Sequence, residues 1–344
     1  REGSLKADGL SAMKHINVAL FVPHLGCPHA CVFCDQHAIS GQRAPITREA
    51  IVSACETAAK TPHDVANSEI AFFGGSFTAV DRATQAMCLR AAAPYLKTAF
   101  GGIRVSTRPD AIDEETLSFL KENGVTAIEL GAQSMDEEAL QKNERGHTPA
   151  DTVKAGKLIR SFGFSLGLQM MTGLYGSTDE TDLATAEALI ALRPDTVRIY
   201  PTVVLKNTRL ASLYAEGLYK PPTLDESVSL CAKLLTRFHE AKIPVIRLGL
   251  HAGGDVENSY VAGPYHPAFR ELCENRIYKA ALLELLSPLP PGRYTVLVPP
   301  GHASKAAGQK RANLVYFAGQ KYLLKIVTSP DVPAFQPLIA QIND

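Results

Sequence analysis

From residue 17 onward the chain alternates short apolar runs with stretches whose apolar positions recur every three or four residues, the pattern of strands followed by helices. The runs at 17–22 (NVALFV), 69–73, 102–108, 127–131, 164–170, 196–202 and 245–248 predict seven strands. Between them, residues 47–60, 81–96, 113–123, 150–160, 179–191 and 224–241 read as helices, with Thr47 and Asp81 placed to cap the first two. Such regular alternation predicts an α/β fold with a parallel sheet. In barrel-like members of that class the chemistry gathers at the carboxyl ends of the strands. After Gly249 the texture changes: a Gly-rich stretch leads into a helix at 267–286, ended by Pro288, Pro290 and Pro291. Two further strands, 294–298 and 323–327, bracket a helix expected at 304–314, which makes a small α+β extension.

Composition narrows the class. At 344 residues and 46% hydrophobic content the chain is of ordinary globular character, and a barrel-like domain accounts for about 250 of its residues. Thirty-five basic residues match 35 acidic ones, so no global field points to a polyanionic partner. No apolar run approaches the ~20 residues of a membrane span, and nothing resembles a signal peptide. Seven cysteines, three of them closely spaced, suit a reducing cytoplasmic setting better than a disulfide scaffold. Residues 1–12 lack periodicity and are expected to be a disordered or non-native leader, with the structured chain starting near His15.

The chemistry concentrates just after the first strand. Cys27, Cys31 and Cys34 form a C-x3-C-x2-C loop, and thiolates are the preferred protein ligands of iron–sulfur clusters. Three cysteines on a four-iron cluster leave one iron open to a non-protein ligand. A zinc site completed by His24, His29 or His37, or plain buried thiols, are the alternatives. Downstream, Gly74 and Gly75 follow the second strand and let the backbone approach a ligand closely. Glu129 stands in an otherwise apolar strand, a costly place for an unpaired carboxylate. In the sixth strand, alternation puts Arg198 and Tyr200 on the same face.

The cysteine spacing, Phe33 before the last cysteine, and the position after a first strand resemble the cluster loop of radical S-adenosylmethionine (SAM) enzymes. The resemblance implies a [4Fe-4S] cluster whose open iron is chelated by SAM, and cleavage of SAM to a 5'-deoxyadenosyl radical. It implies further that Gly74 and Gly75 contact the methionine amino group through their backbone. The run STRPD, then E-x-G-x-Q-S, then N-E-R-G-H-T resembles the subgroup shared by the elongator catalytic subunit and the oxygen-independent coproporphyrinogen oxidases. In that subgroup Arg108, Glu129, Gln133 and Arg145 look like SAM-site residues, with His147 nearby. Gln169 and Arg198 join them as expected cofactor contacts; Gln169 stands where relatives carry an acidic residue, and Tyr175 where they carry proline. The expected architecture is a partial (β/α)6 TIM-like radical SAM barrel over residues 13–250, followed by a lid and a small basic extension over 251–344.

Substrate contacts are expected from Tyr200, His251 and Tyr265 at the barrel mouth. From Arg293 to Lys325 the chain holds six basic residues and no acidic one, and Lys305, Lys310 and Arg311 are expected to meet phosphate or RNA backbone. Nothing after the barrel resembles an acetyl-CoA-binding domain, so the elongator's carboxymethyl chemistry is not carried over. Cys55, Cys88, Cys231 and Cys273 have no ligand spacing, which speaks against an auxiliary cluster. The expected reaction is radical modification of a nucleobase in tRNA or another RNA, with flavodoxin or ferredoxin as electron donor. A small-molecule or tetrapyrrole substrate, or a haem or cluster carrier, are the alternative readings.

Overall fold

The computed structural model describes residues 15–22, 27, 31–41, 44–250 and 255–340, with nothing said of the His37 side chain. Among the described residues the strands are β1 (Asn17–Val22), β2 (Glu69–Gly74), β3 (Gly102–Thr107), β4 (Val125–Gln133), β5 (Ser165–Thr172), β6 (Thr196–Pro201), β7 (Val204–Leu205), β8 (Val245–Leu248), β9 (Tyr260–Ala262), β10 (Arg293–Val298), β11 (Leu323–Thr328) and β12 (Leu338–Ile339). Seven of them form one parallel sheet in the order β1-β2-β3-β4-β5-β6-β8. Each parallel neighbour requires a crossover, supplied here by helices that pack on the outer face. The sheet curls into a partial TIM-like barrel, and among the described residues β1 and β8 do not pair to close it.

The outward side chains explain the stability of that curl. Ile70, Phe72, Ile103, Val105, Ile128, Leu130, Leu166, Leu168, Val197 and Ile199 are all buried in one core with the covering helices. The alternate positions face inward and include the small or polar Ala71, Arg104, Glu129, Gly167 and Arg198, with Phe21 and Phe73 as aromatic exceptions. Helix starts carry their own signals: Thr47 and Asp81 accept from backbone N–H groups as expected, and Thr148, Thr178 and Thr223 make capping boxes.

Helix Phe269–Leu286 belongs to two cores. Phe269 and Cys273 pack into the barrel, whereas Tyr278, Leu282 and Leu286 join Tyr294, Val296, Val298 and Phe317 of the extension. The extension's sheet has the order β11-β10-β12, with β11 parallel and β12 antiparallel to β10. The single helix expected at 304–314 is instead two, Ala303–Ala307 and Ala312–Gly319, with a tight turn at Gln309–Arg311 between them. Gly308 (φ +82°) interrupts the first, and Lys310 and Arg311 both adopt left-handed backbone (φ +51° and +63°). Among the described residues, no helix is long and apolar enough to cross a membrane.

Candidate active site at the carboxyl ends of the strands

The three cysteines follow β1 and sit over the carboxyl ends of β2, β3 and β4. Their loop is tied down by backbone bonds: Val32 N donates to Asn143 O (3.2 Å), and Leu210 N donates to Val32 O (2.8 Å). Val32 and Phe33 pack among Val204, Leu210, Tyr219 and Tyr175. Asn143, fully buried, donates through Nδ2 to Ala139 O (2.7 Å) and Tyr175 O (2.8 Å), coupling the loop after β4 to the loop after β5. The short helix Gln36–Ser40 meets helix Val256–Ser259, and Asp255 N donates to Ala38 O (3.0 Å).

The cysteine sulfurs are electrostatic neighbours. Burial pushes the Cys34 thiol up to about 12, and Cys31 and Cys27 reinforce the rise while the Gln36 amide and Arg145 oppose it. Cys27 is also raised by burial, then by Cys31, with Arg108 and Arg145 pulling the other way. Gln36 Nε2 donates to Cys34 Sγ (3.4 Å) and Arg145 Nη1 to Cys31 Sγ (3.3 Å). Among the described residues no three His, Cys, Asp or Glu side chains are drawn into a formed metal site.

Two arginines organise the floor below these thiols. Arg145 Nη2 donates to Gly131 O (2.6 Å), at the turn where β4 bulges and Gln133 takes φ +63°. Arg108 donates through Nε and Nη2 to the two oxygens of Asp110 (2.9 and 3.0 Å) and through Nη2 to Arg145 O. Its backbone N donates to Ser76 Oγ (3.2 Å), which bonds Thr107 Oγ1 (2.9 Å). Gly74 (φ +105°) turns the chain between β2 and Ser76, a conformation that side-chain-bearing residues rarely adopt. Several buried atoms here lack partners: Arg108 Nη1, Arg145 Nε and Gln133 Oε1. They are donors and an acceptor of the kind that a bound carboxylate, amine or ribose satisfies, so the residue set fits SAM.

A second layer lies deeper in the barrel. Glu129 is only 1% exposed, and its oxygens accept from Arg198 Nε (3.0 and 2.8 Å), Gln169 Nε2 (3.0 Å) and Arg104 Nη1 (3.4 Å). Arg104 also pairs with Glu69 through Nε (2.7 Å) and Nη2 (3.2 Å). The Arg198 guanidinium carbon lies 5.0 Å from the Phe73 ring centre, and burial pushes the Tyr200 phenol up. Arg198 and Tyr200 thus face the barrel interior together. Glu129, Gln169 and Arg198 hold one another, whereas Arg108, Gln133 and Arg145 gather one layer nearer the thiols.

The remaining expected contacts scatter. Tyr265 packs with Ala38, Val203, Leu205 and Val256 in the lid, its hydroxyl on Glu257 Oε1 (3.3 Å). His251, like His24 and His29 and the leader at 1–12, falls outside the described residues. Lys305 is paired with Glu274 (3.2 Å), while Lys310 and Arg311 are exposed. Residues that the sequence reading passed over include Arg104, Ser76, Gln36 and Asn143. A signal existed for Arg104 alone, as a charge inside an apolar strand whose neighbours in the sheet each carry a carboxylate, Glu69 and Glu129.

This fold and this loop define a radical SAM protein. A radical SAM superfamily model matches residues 21–189 and a radical SAM C-terminal domain model matches residues 194–279; the chain belongs to that superfamily and carries its catalytic domain. Within it, the chain is 27% identical over 254 residues to a tRNA uridine(34) acetyltransferase of Methanocaldococcus jannaschii, covering 62% of this chain and 47% of that protein. A protein of the same name from Dehalococcoides mccartyi is 28% identical over 239 residues, covering 59% and 52%. Human elongator complex protein 3 is 33% identical over 137 residues, covering 39% and 25%. The fold is shared with the archaeal Methanocaldococcus infernus Elp3 lacking its N-terminus, at a TM-score of 0.62 and 22% identity over 79% of this chain and 64% of that one. The chain spans about half the length of the first of these curated relatives. Membership implies a [4Fe-4S] cluster and SAM as cofactors.

Proposed function

We propose that this chain is a radical SAM enzyme that modifies a nucleobase in tRNA, its cluster held by Cys27, Cys31 and Cys34. The observation that carries the reading is the convergence of Arg145 and Gln36 on the cysteine thiols beside unpartnered buried atoms of Arg108, Arg145 and Gln133. When bound, the cluster and SAM supply a reductively generated 5'-deoxyadenosyl radical. The chain's own residues position and shield. Gln36 and Arg145 steady two thiols, and Arg108 fixes the Arg145 main chain while offering Nη1 to an anionic group. Gly74 and Gly75 bring main-chain groups close to the same place. Phe21 and Phe73, with ring centres 6.4 Å apart, line the interior beside Arg198 and keep water from it.

The choice of tRNA rests on the names of the relatives and on the basic extension, where Lys310 and Arg311 stand exposed to meet phosphates. A low-potential donor such as flavodoxin or ferredoxin supplies the electron. The test is anaerobic reconstitution with iron and sulfide, then reduction with SAM and total tRNA, following 5'-deoxyadenosine and the nucleosides of the digested RNA. Deoxyadenosine with a changed nucleoside is expected. Deoxyadenosine alone redirects the search to small molecules or tetrapyrroles, and no deoxyadenosine from cluster-loaded protein leaves a haem or cluster carrier. Cys31→Ala abolishes the cluster's visible absorption together with cleavage, whereas changing Lys310 and Arg311 to Ala lowers tRNA affinity and its salt dependence but spares uncoupled cleavage.

A further inference from the structure

The loop after β5 walls a cavity of about 380 Å³ between helices Asp179–Ala191 and Leu224–Glu240, and the segment 218–222 closes its other side. The wall is fixed by bonds of its own. Tyr219 donates through its hydroxyl to Gly173 O (2.7 Å), and Asn143 Nδ2 holds Tyr175 O (2.8 Å). Gly173 lies so close to Pro222 that a Cβ there would come 2.9 Å from the proline ring. At the floor are Asp182 and Ser227, 1% and 2% exposed. One carboxylate oxygen of Asp182 accepts from Gly173 N (2.8 Å), whereas Asp182 Oδ1 and Ser227 Oγ are buried without a partner.

A buried carboxylate oxygen and a buried hydroxyl at one floor require a hydrogen-bond donor, and the charges around them select its kind. The wall carries three carboxylates, Asp182 at the floor with Asp179 and Glu226 at the exposed rim, against one cation, Lys220. Lys142 lies 5.7 Å from the Tyr175 ring centre but is paired with Glu138 (2.6 Å). Burial pushes the Asp182 carboxyl up to about 7, the direction expected of a carboxylate with no cation beside it. A metal ion does not match the space. Leu174, Leu230 and Pro222 line it between the polar groups, and among the described residues no three His, Cys, Asp or Glu side chains converge as ligands. An ammonium on a short alkyl chain matches both the charge and the apolar wall. We infer that this cavity binds a small aliphatic amine, its ammonium donating to Asp182 Oδ1 and Ser227 Oγ and its chain lying along Leu230 and Pro222. The second ammonium of a diamine meets the rim carboxylates, Asp179 and Glu226.

Putrescine, a four-carbon diamine, is the probe, titrated calorimetrically into the full chain at constant ionic strength and about pH 8, where the amine is protonated and Asp182 is ionised. One saturable site is expected. Asp182→Asn keeps the shape of the floor and removes its charge, and it weakens binding about tenfold or more, as loss of a charged hydrogen-bonding group does. Ser227→Ala weakens it by less, and Lys220→Gln, which removes the wall's positive charge, tightens it. Asp182 is buried, so its effect separates a built site from attraction of the amine to surface carboxylates. A thermal melt of each variant without ligand reports on folding, and if Asp182→Asn melts early, Lys220→Gln and Ser227→Ala decide the matter. The titration needs neither cluster nor SAM, so its result is independent of the proposed reaction. Absence of saturable binding, displacement by the uncharged diol of the same length, or affinities that these substitutions leave unchanged would overturn the inference.

Discussion

Glu129 shows how much one inward carboxylate organises. It is buried with two arginines and an amide on its oxygens, and Gly167 on β5 makes room for it: a Cβ at that position would come 2.8 Å from Glu129 Cγ and 3.2 Å from Thr196 Oγ1. Glu129→Ala strands the charges of Arg104 and Arg198 and is expected to cost about 3–5 kcal/mol in a denaturant melt. Gly167→Ala overpacks the same place and costs about 1–3 kcal/mol; wild-type stability of either variant would mean that the network does not hold the barrel. Asp182 is a second buried carboxyl, accepting from Gly173 N (2.8 Å) with its other oxygen unpartnered. Burial raises it from 3.8 to about 7, despite the bond from Gly173. Between those two values the unfolded chain binds fewer protons than the folded one, so this group's contribution to stability falls as pH rises and is flat above. Asp182→Asn is therefore expected to melt higher than wild type above pH 7, with the gap closing toward pH 4. A gap independent of pH would place the raised pKa elsewhere.

Among the elements, the cysteine loop depends on neighbours far along the chain. The Asn143 side chain joins the end of helix Glu137–Lys142 to the loop at Tyr175, and its main-chain oxygen receives Val32. Asn143→Ala leaves Tyr175 O without that donor, costs about 1–3 kcal/mol, and loosens the seat of Val32 and Phe33. The expected result is less iron retained per chain after reconstitution and desalting, in protein whose far-ultraviolet spectrum is unchanged. Iron content equal to wild type would show that the loop holds its shape without this tie. The extension teaches the converse. Alternation placed β10 and β11 within one residue, yet the helix between them breaks at Gly308, because Asn313 packs where its continuation would run and donates to Asn275 O (3.0 Å) and Ala306 O (3.1 Å).

For the molecule as a whole, helix Phe269–Leu286 decides where the barrel ends. A boundary at 250 follows from the change of texture after Gly249, but Phe269 and Cys273 fill the barrel core against helix Leu224–Glu240 and β8. A chain ended after Leu250 exposes that apolar surface and is expected to lose the cooperative thermal transition. One ended after Ser287 keeps it. If the shorter chain melts as sharply as the longer, the helix belongs to the extension alone. The same helix links Lys305 to the barrel side through Glu274, which also pairs with Arg270. The basic extension is thus anchored by one of its own expected phosphate contacts, and Lys310 and Arg311 are left as its exposed pair.

Local rules were enough for the strands and helices of the barrel, for their caps, and for the cysteine loop, since hydrophobic period, capping residues and ligand spacing act over a few neighbours in the chain. They were also enough to mark Glu129 as a charge in need of a partner and to set Arg198 and Tyr200 on one face. Which partners they find depends on register between strands, and register is a property of the assembled sheet: Arg104 reaches Glu129 because β3 and β4 align Ser106 with Glu129, and Arg198 reaches it across β5. So the division of the expected cofactor residues into two layers and the seat of the cysteine loop on Asn143 and Leu210 were decided only in three dimensions. Each joins side chains tens of residues apart, at distances that composition and periodicity do not encode.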